Sequence, residues 1–198
     1  MTKLFEAARR VSVPIVVCRT SDQWATAETL KAASGKHPVV QWDAARGMTG
    51  LNVEGTAALQ RAKITADNSL GFVEAMVQAQ QLPQGAVVLA HNAHRQVASA
   101  EHIAVAAAVQ AVANLRETYK ANFRMLVLLG PYGFTVPTEL GQDVFVLTDP
   151  LPGEEALGLI VRELYDAARK TKPSLKAPTA ELVAKAVDAL SGMNNFAS

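Results

Sequence analysis

The feature that most limits how this 198-residue chain can fold is its alternation of short β-branched apolar runs with longer alanine-rich segments. A strand that is apolar at nearly every residue must be covered on both faces. Helices crossing between neighbouring strands of a parallel sheet provide that cover. Five runs read as strands: Val13–Cys18, Pro38–Trp42, Ala86–Ala90, Met125–Leu129 and Asp143–Leu147. Pro14 is tolerable because it sits near a strand start, where its missing donor costs no ladder bond. Between the strands, helical spacing predicts helices over 23–34, 69–81 and 100–120. Asp22 or Ser21 serves as N-cap of the first helix, Gly35 ends it, Leu82-Pro83-Gln84-Gly85 stops the second and Ser99 caps the third. Residues 43–68 are rich in Gly, Thr and Asn and read as an excursion, with a short strand or helical turn near 56–63. Residues 91–98 form the loop at the carboxyl end of the third strand.

The texture changes at Pro150. Residues 153–170 place Leu157, Ile160, Val161, Leu164 and Tyr165 on one helical face, and 180–190 do the same with Leu182, Val183, Ala186, Val187 and Leu190. The expected organisation is an α/β domain over 1–149 with a five-stranded parallel sheet, followed by a small helical appendage over 150–198.

Charge excludes several partner classes. With 19 basic and 18 acidic side chains the net charge is +1, and no concentrated basic surface is available for nucleic acid or an anionic membrane. The most apolar long run, 103–115, is interrupted by Gln110 and Asn114 and falls short of the roughly 18–20 residues that cross a bilayer. A single cysteine, Cys18, forms no internal disulfide, and the first residues lack the order of a secretion signal. A reducing cytoplasm is the expected setting.

The second half of the domain carries a specific pattern. Met125-Leu-Val-Leu-Leu129-Gly130-Pro131 is followed by Val136-Pro137-Thr138-Glu139-Leu140, then Val144-Phe-Val-Leu147, then Asp149-Pro150-Leu151-Pro152-Gly153-Glu154-Glu155. This series resembles the second half of an AAA-family ATPase domain: a buried strand ending in a sensor loop, a turn, a last strand and a step into a helical lid. At lower specificity the likeness extends upstream through Trp42-Asp43-Ala44-Ala45-Arg46-Gly47-Met48. There the chain is most similar to plastid-type and bacterial AAA proteins that place a degenerate ATPase-like region before an active module. The resemblance implies a three-layer P-loop-NTPase-like fold with a partial helical lid. Because Ser198 reads as the N-cap of a further helix, the chain is expected to be the front part of a longer protein, its lid truncated.

Departures from the family pattern bear on function. A phosphate-binding loop needs G-x-x-x-x-G-K-[ST], because glycines let backbone N–H groups wrap the phosphates and the lysine neutralises them. Here the loop reads Arg19-Thr20-Ser21-Asp22-Gln23-Trp24-Ala25-Thr26. Asp22 would repel an anion at the helix N-terminus, which it can instead cap. The third strand should end in an acidic pair for magnesium and the attacking water, but it ends in His91-Asn92. Gly130 lacks the usual polar side chain of the sensor loop.

The degenerate nucleotide site is therefore expected at Thr20, Ser21, Asp22, His91 and Asn92, with no catalytic residue and no metal site. No cofactor is expected in this chain beyond weak binding of ATP and magnesium. The leading expectation is a non-catalytic module of an AAA protein serving assembly, regulation or target recognition. Its expected partner is a protein or a further AAA module, with a homo-oligomer as another option, and hydrolysis would fall to a following module. The alternatives are a nucleotide sensor or weak ATPase at the carboxyl edge of the sheet, and a free-standing adaptor. Other constellations carry bland readings. His91, His94 and His102 lack a spaced further ligand for zinc. Cys18, or Ser21 with His91, lacks a nucleophile elbow. Trp24, Trp42, Phe72 and Tyr132 have no interleaved basic residues for stacking on bases. Arg95, Arg116 and Arg124 read as solvated surface rather than as fingers toward a neighbour's nucleotide. The alanine face of the third predicted helix reads as packing against its own sheet.

Overall fold

The computed structural model describes residues 1–65, 71–97, 103–142 and 144–191. In chain order the elements are α1 (Thr2–Arg10), β1 (Ile15–Arg19), α2 (Gln23–Ala33), β2 (Val39–Asp43), β3 (Gly47–Gly50), α3 (Val53–Arg61), α4 (Phe72–Ala79), β4 (Val87–Ala90), α5 (His94–Val97), α6 (Ile103–Ala121), β5 (Met125–Gly130), β6 (Val144–Thr148), α7 (Glu154–Thr171) and α8 (Ala180–Leu190), with a 3-10 turn at Thr138–Leu140. The chain divides into two units, Met1–Asp149 and Pro150–Ser198.

In the first unit the strands lie in the order β3-β2-β4-β5-β1-β6. β1 pairs in parallel with β5 and β6, and β4 in parallel with β2 and β5. All five expected strands are present to within a residue or two of the expected bounds. The sheet nevertheless has six strands, because β3 pairs antiparallel with β2. The turn between them explains this: Asp43 Oδ1 accepts from the N–H groups of Ala45 and Arg46, both at 2.9 Å, and Gly47 enters β3 at φ +67°. A strand of sequence Gly-Met-Thr-Gly carries little β propensity, so its pairing comes from that turn rather than from its own residues. The excursion also contains α3, capped by Asn52 Oδ1 accepting from Gly55 N–H at 2.8 Å.

Burial follows strand alternation. One face of the sheet packs Ile15, Val17, Val40, Trp42, Val88, Leu126 and Leu128 under α3, α4 and α6; the other packs Val16, Cys18, Val39, Leu89, Val127 and Leu129 under α1 and α2. The alanine face of α6 goes largely into this core through Ala108, Ala111 and Val112, while Ala107 stays exposed. The first helix, α1, had no counterpart among the expected elements; it inserts Phe5 and Ala8 and ends on Arg9 and Arg10. Trp42 and Phe72 meet edge to face at 5.1 Å inside the core. Trp24 and Tyr132 lie at the surface, so the four aromatics make no common face.

The second unit is a helical pair. Leu157 and Val161 of α7 and Val183 and Val187 of α8 form its small core, joined by Tyr165, Ala186 and Leu190. Thr179 caps α8 by accepting from Leu182 N–H at 3.2 Å. Ser99, Ala100, His102, Asp143 and Ser198, which carried sequence expectations, lie outside the described residues.

Candidate functional site

Backbone bonds that continue past the strand ends bring the expected site residues to one edge. Thr20 N–H donates to Gly130 O, His91 N–H to Trp42 O and Ala93 N–H to Leu129 O, each at 2.9 Å. The loops after β1, β4 and β5 thus start in register at the carboxyl edge. β1 is an inner strand followed directly by α2, as the family resemblance requires.

Those loops then bond one another through their side chains. Asp22 Oδ1 accepts from Trp24 N–H at 3.1 Å and from Ala25 N–H at 3.0 Å. Its carboxylate therefore takes the first-turn donors of α2, the same kind of donors that hold a phosphate in a nucleotide-binding loop. Gln23 crosses to the β4 loop and bonds Asn92 twice: its Nε2 donates to Asn92 Oδ1 at 2.9 Å, and its Oε1 accepts from Asn92 N–H at 2.7 Å. Asn92 sits at φ +51°, a left-handed conformation that asparagine tolerates better than most residues. Gln23 holds it there.

Beneath this clamp is a threonine relay. Asp22 N–H donates to Thr20 Oγ1 at 3.0 Å, the Thr20 and Thr26 hydroxyls lie 2.8 Å apart, and Thr26 Oγ1 donates to Asp149 Oδ2 at 2.5 Å. Thr20 and Thr26 are both buried. Asp149 is tied further by its own N–H to Arg19 O and by Tyr132 Oη to its carbonyl, both at 2.8 Å. Thr26, Asp149 and Gln23 were not among the expected site residues. The signal for Gln23 was its place in the degenerate loop; Asp149, distant in sequence, had none.

His91 is buried and its Nε2 lies 3.0 Å from Gln41 Oε1. Burial lowers its pKa, with Asp43 opposing the shift and Arg46 adding to it. The shift favours the neutral imidazole. Trp24 is 52% exposed, lies 6.3 Å from the His91 ring and carries the Arg46 guanidinium 5.5 Å from its ring centre. Arg46 in turn bonds Asp43 at 2.6 Å. Burial alone would raise the Asp43 carboxyl, but the Arg46 side chain and the Ala45 and Arg46 N–H groups bring it below its usual range.

At the sensor position a side chain has no room. A Cβ on Gly130 would stand 2.7 Å from Phe134 Cδ1 and 3.3 Å from His94 Nδ1. His94 Nδ1 is buried without a partner, an exception to the satisfied pattern of this edge. Cys18 is fully buried, and burial, reinforced by Asp149, pushes its thiol up to about 12. A thiol that stays protonated is a poor nucleophile. Among the described residues no group of three or more His, Cys, Asp or Glu side chains is placed to hold a metal ion. Arg124 caps the end of α4, its Nη1 donating to Gln80 O at 2.7 Å, and Arg116 pairs with Glu117 at 2.9 Å. Among the described residues, cavities lie at the amino edge of the sheet, along α6 and within the α7–α8 pair, and these are lined by residues other than Thr20, Ser21, Asp22, His91 and Asn92.

Comparison with solved structures matches the fold. PCH-2 of C. elegans aligns with a TM-score of 0.51 at 12% identity over 85% of this chain and 47% of that one. A structure of the E. coli MS115-1 HORMA:CdnC:Trip13 complex aligns with a TM-score of 0.51 at 9% identity over 94% of this chain and 61% of that one. The chain thus spans about half to three-fifths of those neighbours. No curated protein matches it in sequence. No helix among the described residues is long and apolar enough to cross a membrane. Residues 1–149 match the family described as SpoVK-like AAA ATPase, N-terminal domain, and the chain belongs to that family.

Proposed function

We propose that this chain is a non-catalytic, ATPase-like module that stands before an active AAA module and serves in its assembly, regulation or target recognition. One observation supports the reading: side chains of the loops after β1 and β4 bond the α2 donors and one another. Asp22 holds the α2 donors, and Gln23 and Asn92 bond each other across the gap between the β1 and β4 loops. A nucleotide would have to displace both sets and would meet the Asp22 carboxylate. An acidic pair to bind magnesium is also missing, since Ala90 is followed by His91 and Asn92. In this reading Thr20, Ser21, Asp22, His91 and Asn92 stand where a nucleotide site would lie, and Gln23 and Asn92 now join its loops.

The partner is then a protein, in the cytoplasm. The surface Trp24–Arg46 pair is of the residue types that dominate binding at protein interfaces. The solved Trip13 neighbour is itself part of a complex with HORMA and CdnC, which supports a macromolecular partner. The test compares ATP hydrolysis by residues 1–198 with that of the natural full-length protein. The isolated chain is expected to hydrolyse ATP no faster than buffer, while the full-length protein loses activity when the phosphate-loop lysine of its following module is replaced. Magnesium-dependent turnover by residues 1–198 alone would overturn the reading in favour of a weak ATPase.

A further inference from the structure

We propose that the cavity at the amino edge of the sheet binds a small organic phosphate. Its volume, about 760 Å³, lies within the roughly 300–1,000 Å³ of small-molecule sites and exceeds what inorganic phosphate alone would fill. Arg9 and Arg10 reach it from the last turn of α1, Lys36 and His37 from the segment after α2, and Phe123 closes it from the turn before β5. Phe123 is 53% exposed and offers an apolar face to the organic part of a ligand.

The charge there is not balanced by the protein. Arg9, Arg10 and Lys36 are opposed in the lining by one carboxylate, Glu6, and among the described residues no ion pair engages any of the three cations. The carboxyl ends of α1 and α2 also point here, and each supplies about half a negative charge. About one positive charge remains uncompensated after both are counted.

Arg9 has a donor that the chain leaves unused. Its Nη2 donates to Gly85 O at 3.1 Å, but its Nη1 is buried and has no acceptor. A desolvated guanidinium donor without an acceptor is costly, and a phosphoryl oxygen would supply both the acceptor and the counter-charge once the side chain turns its Nη1 into the cavity. The Arg9 charge is felt at His37, whose pKa is lowered first by burial and then by Arg9. This site lies at the opposite end of the strands from Thr20 and His91, so it does not depend on the reading of the carboxyl edge.

The experiment is a titration of residues 1–198 with pyrophosphate and, separately, AMP at millimolar concentration and low salt, followed by backbone amide NMR. Saturable shifts are expected at residues 9–10, 34–37, 84–85 and 123, with AMP binding more tightly than pyrophosphate because it also covers Phe123. Arg9→Gln should weaken binding about tenfold, the loss of one charge-assisted hydrogen bond. Lys36→Gln, at an exposed position that leaves the fold intact, should weaken it measurably as well. Three results would overturn the proposal: no saturable shift at these amides, shifts confined to residues 20–26 and 91–92, or binding unchanged in Lys36→Gln.

Discussion

The two ends of the same parallel sheet have been finished in opposite ways. At the carboxyl edge nearly every polar group finds a partner within the chain: Asp22 caps α2, Gln23 clamps Asn92, and Thr20 and Thr26 relay to Asp149. At the amino edge a cavity gathers three cations, one of them with a buried donor left over. Open α/β sheets bind ligands at their carboxyl edge because the loops and helix N-termini there offer unsatisfied donors. Here the first-turn donors of α2 bond Asp22, and Gln23 and Asn92 join the loops after β1 and β4. What binds small anions must be judged from unsatisfied groups rather than from fold position.

Substitutions can break this contrast, and the largest effect is expected inside the threonine relay. Thr26→Val keeps the shape but leaves the Asp149 carboxylate without its hydroxyl donor in a partly buried place. The cost should be about 2 kcal/mol, within the range for stranding a buried polar group, and appears as a lower midpoint in urea unfolding. Asp22→Ala removes the acceptor for two helix donors and should cost about 1 kcal/mol, or about 2–4 °C in Tm for a domain of this size. If Asp22→Ala instead stabilised the chain, or gave it nucleotide affinity at this edge without loss of stability, the cap would not be holding the loop.

At the amino edge the same truncation should cost less. Arg9→Met loses the bond to Gly85 O but also removes a desolvated, unpaired cation, so the two effects oppose and the net change should stay within about 0.5–1 kcal/mol. A loss as large as that of Thr26→Val would show that Arg9 is a structural strut. The smallest effect concerns pH. Burial depresses His91, so the unfolded chain takes up a proton at about pH 6.5 while the folded chain resists it. Stability is full above that pH and falls as pH drops from about 6.5 toward the folded value. His37 and His94 are depressed as well, so His91→Gln should flatten the slope of stability between pH 7 and 5 without abolishing it.

Four strands, β1, β2, β4 and β5, are buried at nearly every residue and were legible because apolar runs leave few other options; the edge strand β6, with Phe145 and Val146 exposed, was legible from its apolar run alone. β3 was not legible, since its Gly-Met-Thr-Gly sequence pairs through a turn set by Asp43 and Gly47. α1 also escaped notice, being a short charged segment in which only Phe5 and Ala8 are buried. For the site, the missing glycines and lysine of the β1 loop could be read directly, and so could the capping capacity of Asp22. That Gln23 bonds Asn92 could not, because 69 residues separate them and the pairing arises only when β1 and β4 end at the same edge. The amino-edge cavity was invisible for the same reason: its cations come from α1 and from the turn after α2, and their surplus appears only when the elements are assembled.

The most direct test of a self-satisfied carboxyl edge is titration of residues 1–198 with Mg-ATP while recording the amide resonances of residues 20–26 and 91–92. These resonances should stay fixed through millimolar nucleotide, whatever happens at the amino edge. Saturable shifts there, with weakening of the Gln23–Asn92 contact, would contradict the account and restore this edge as a nucleotide site.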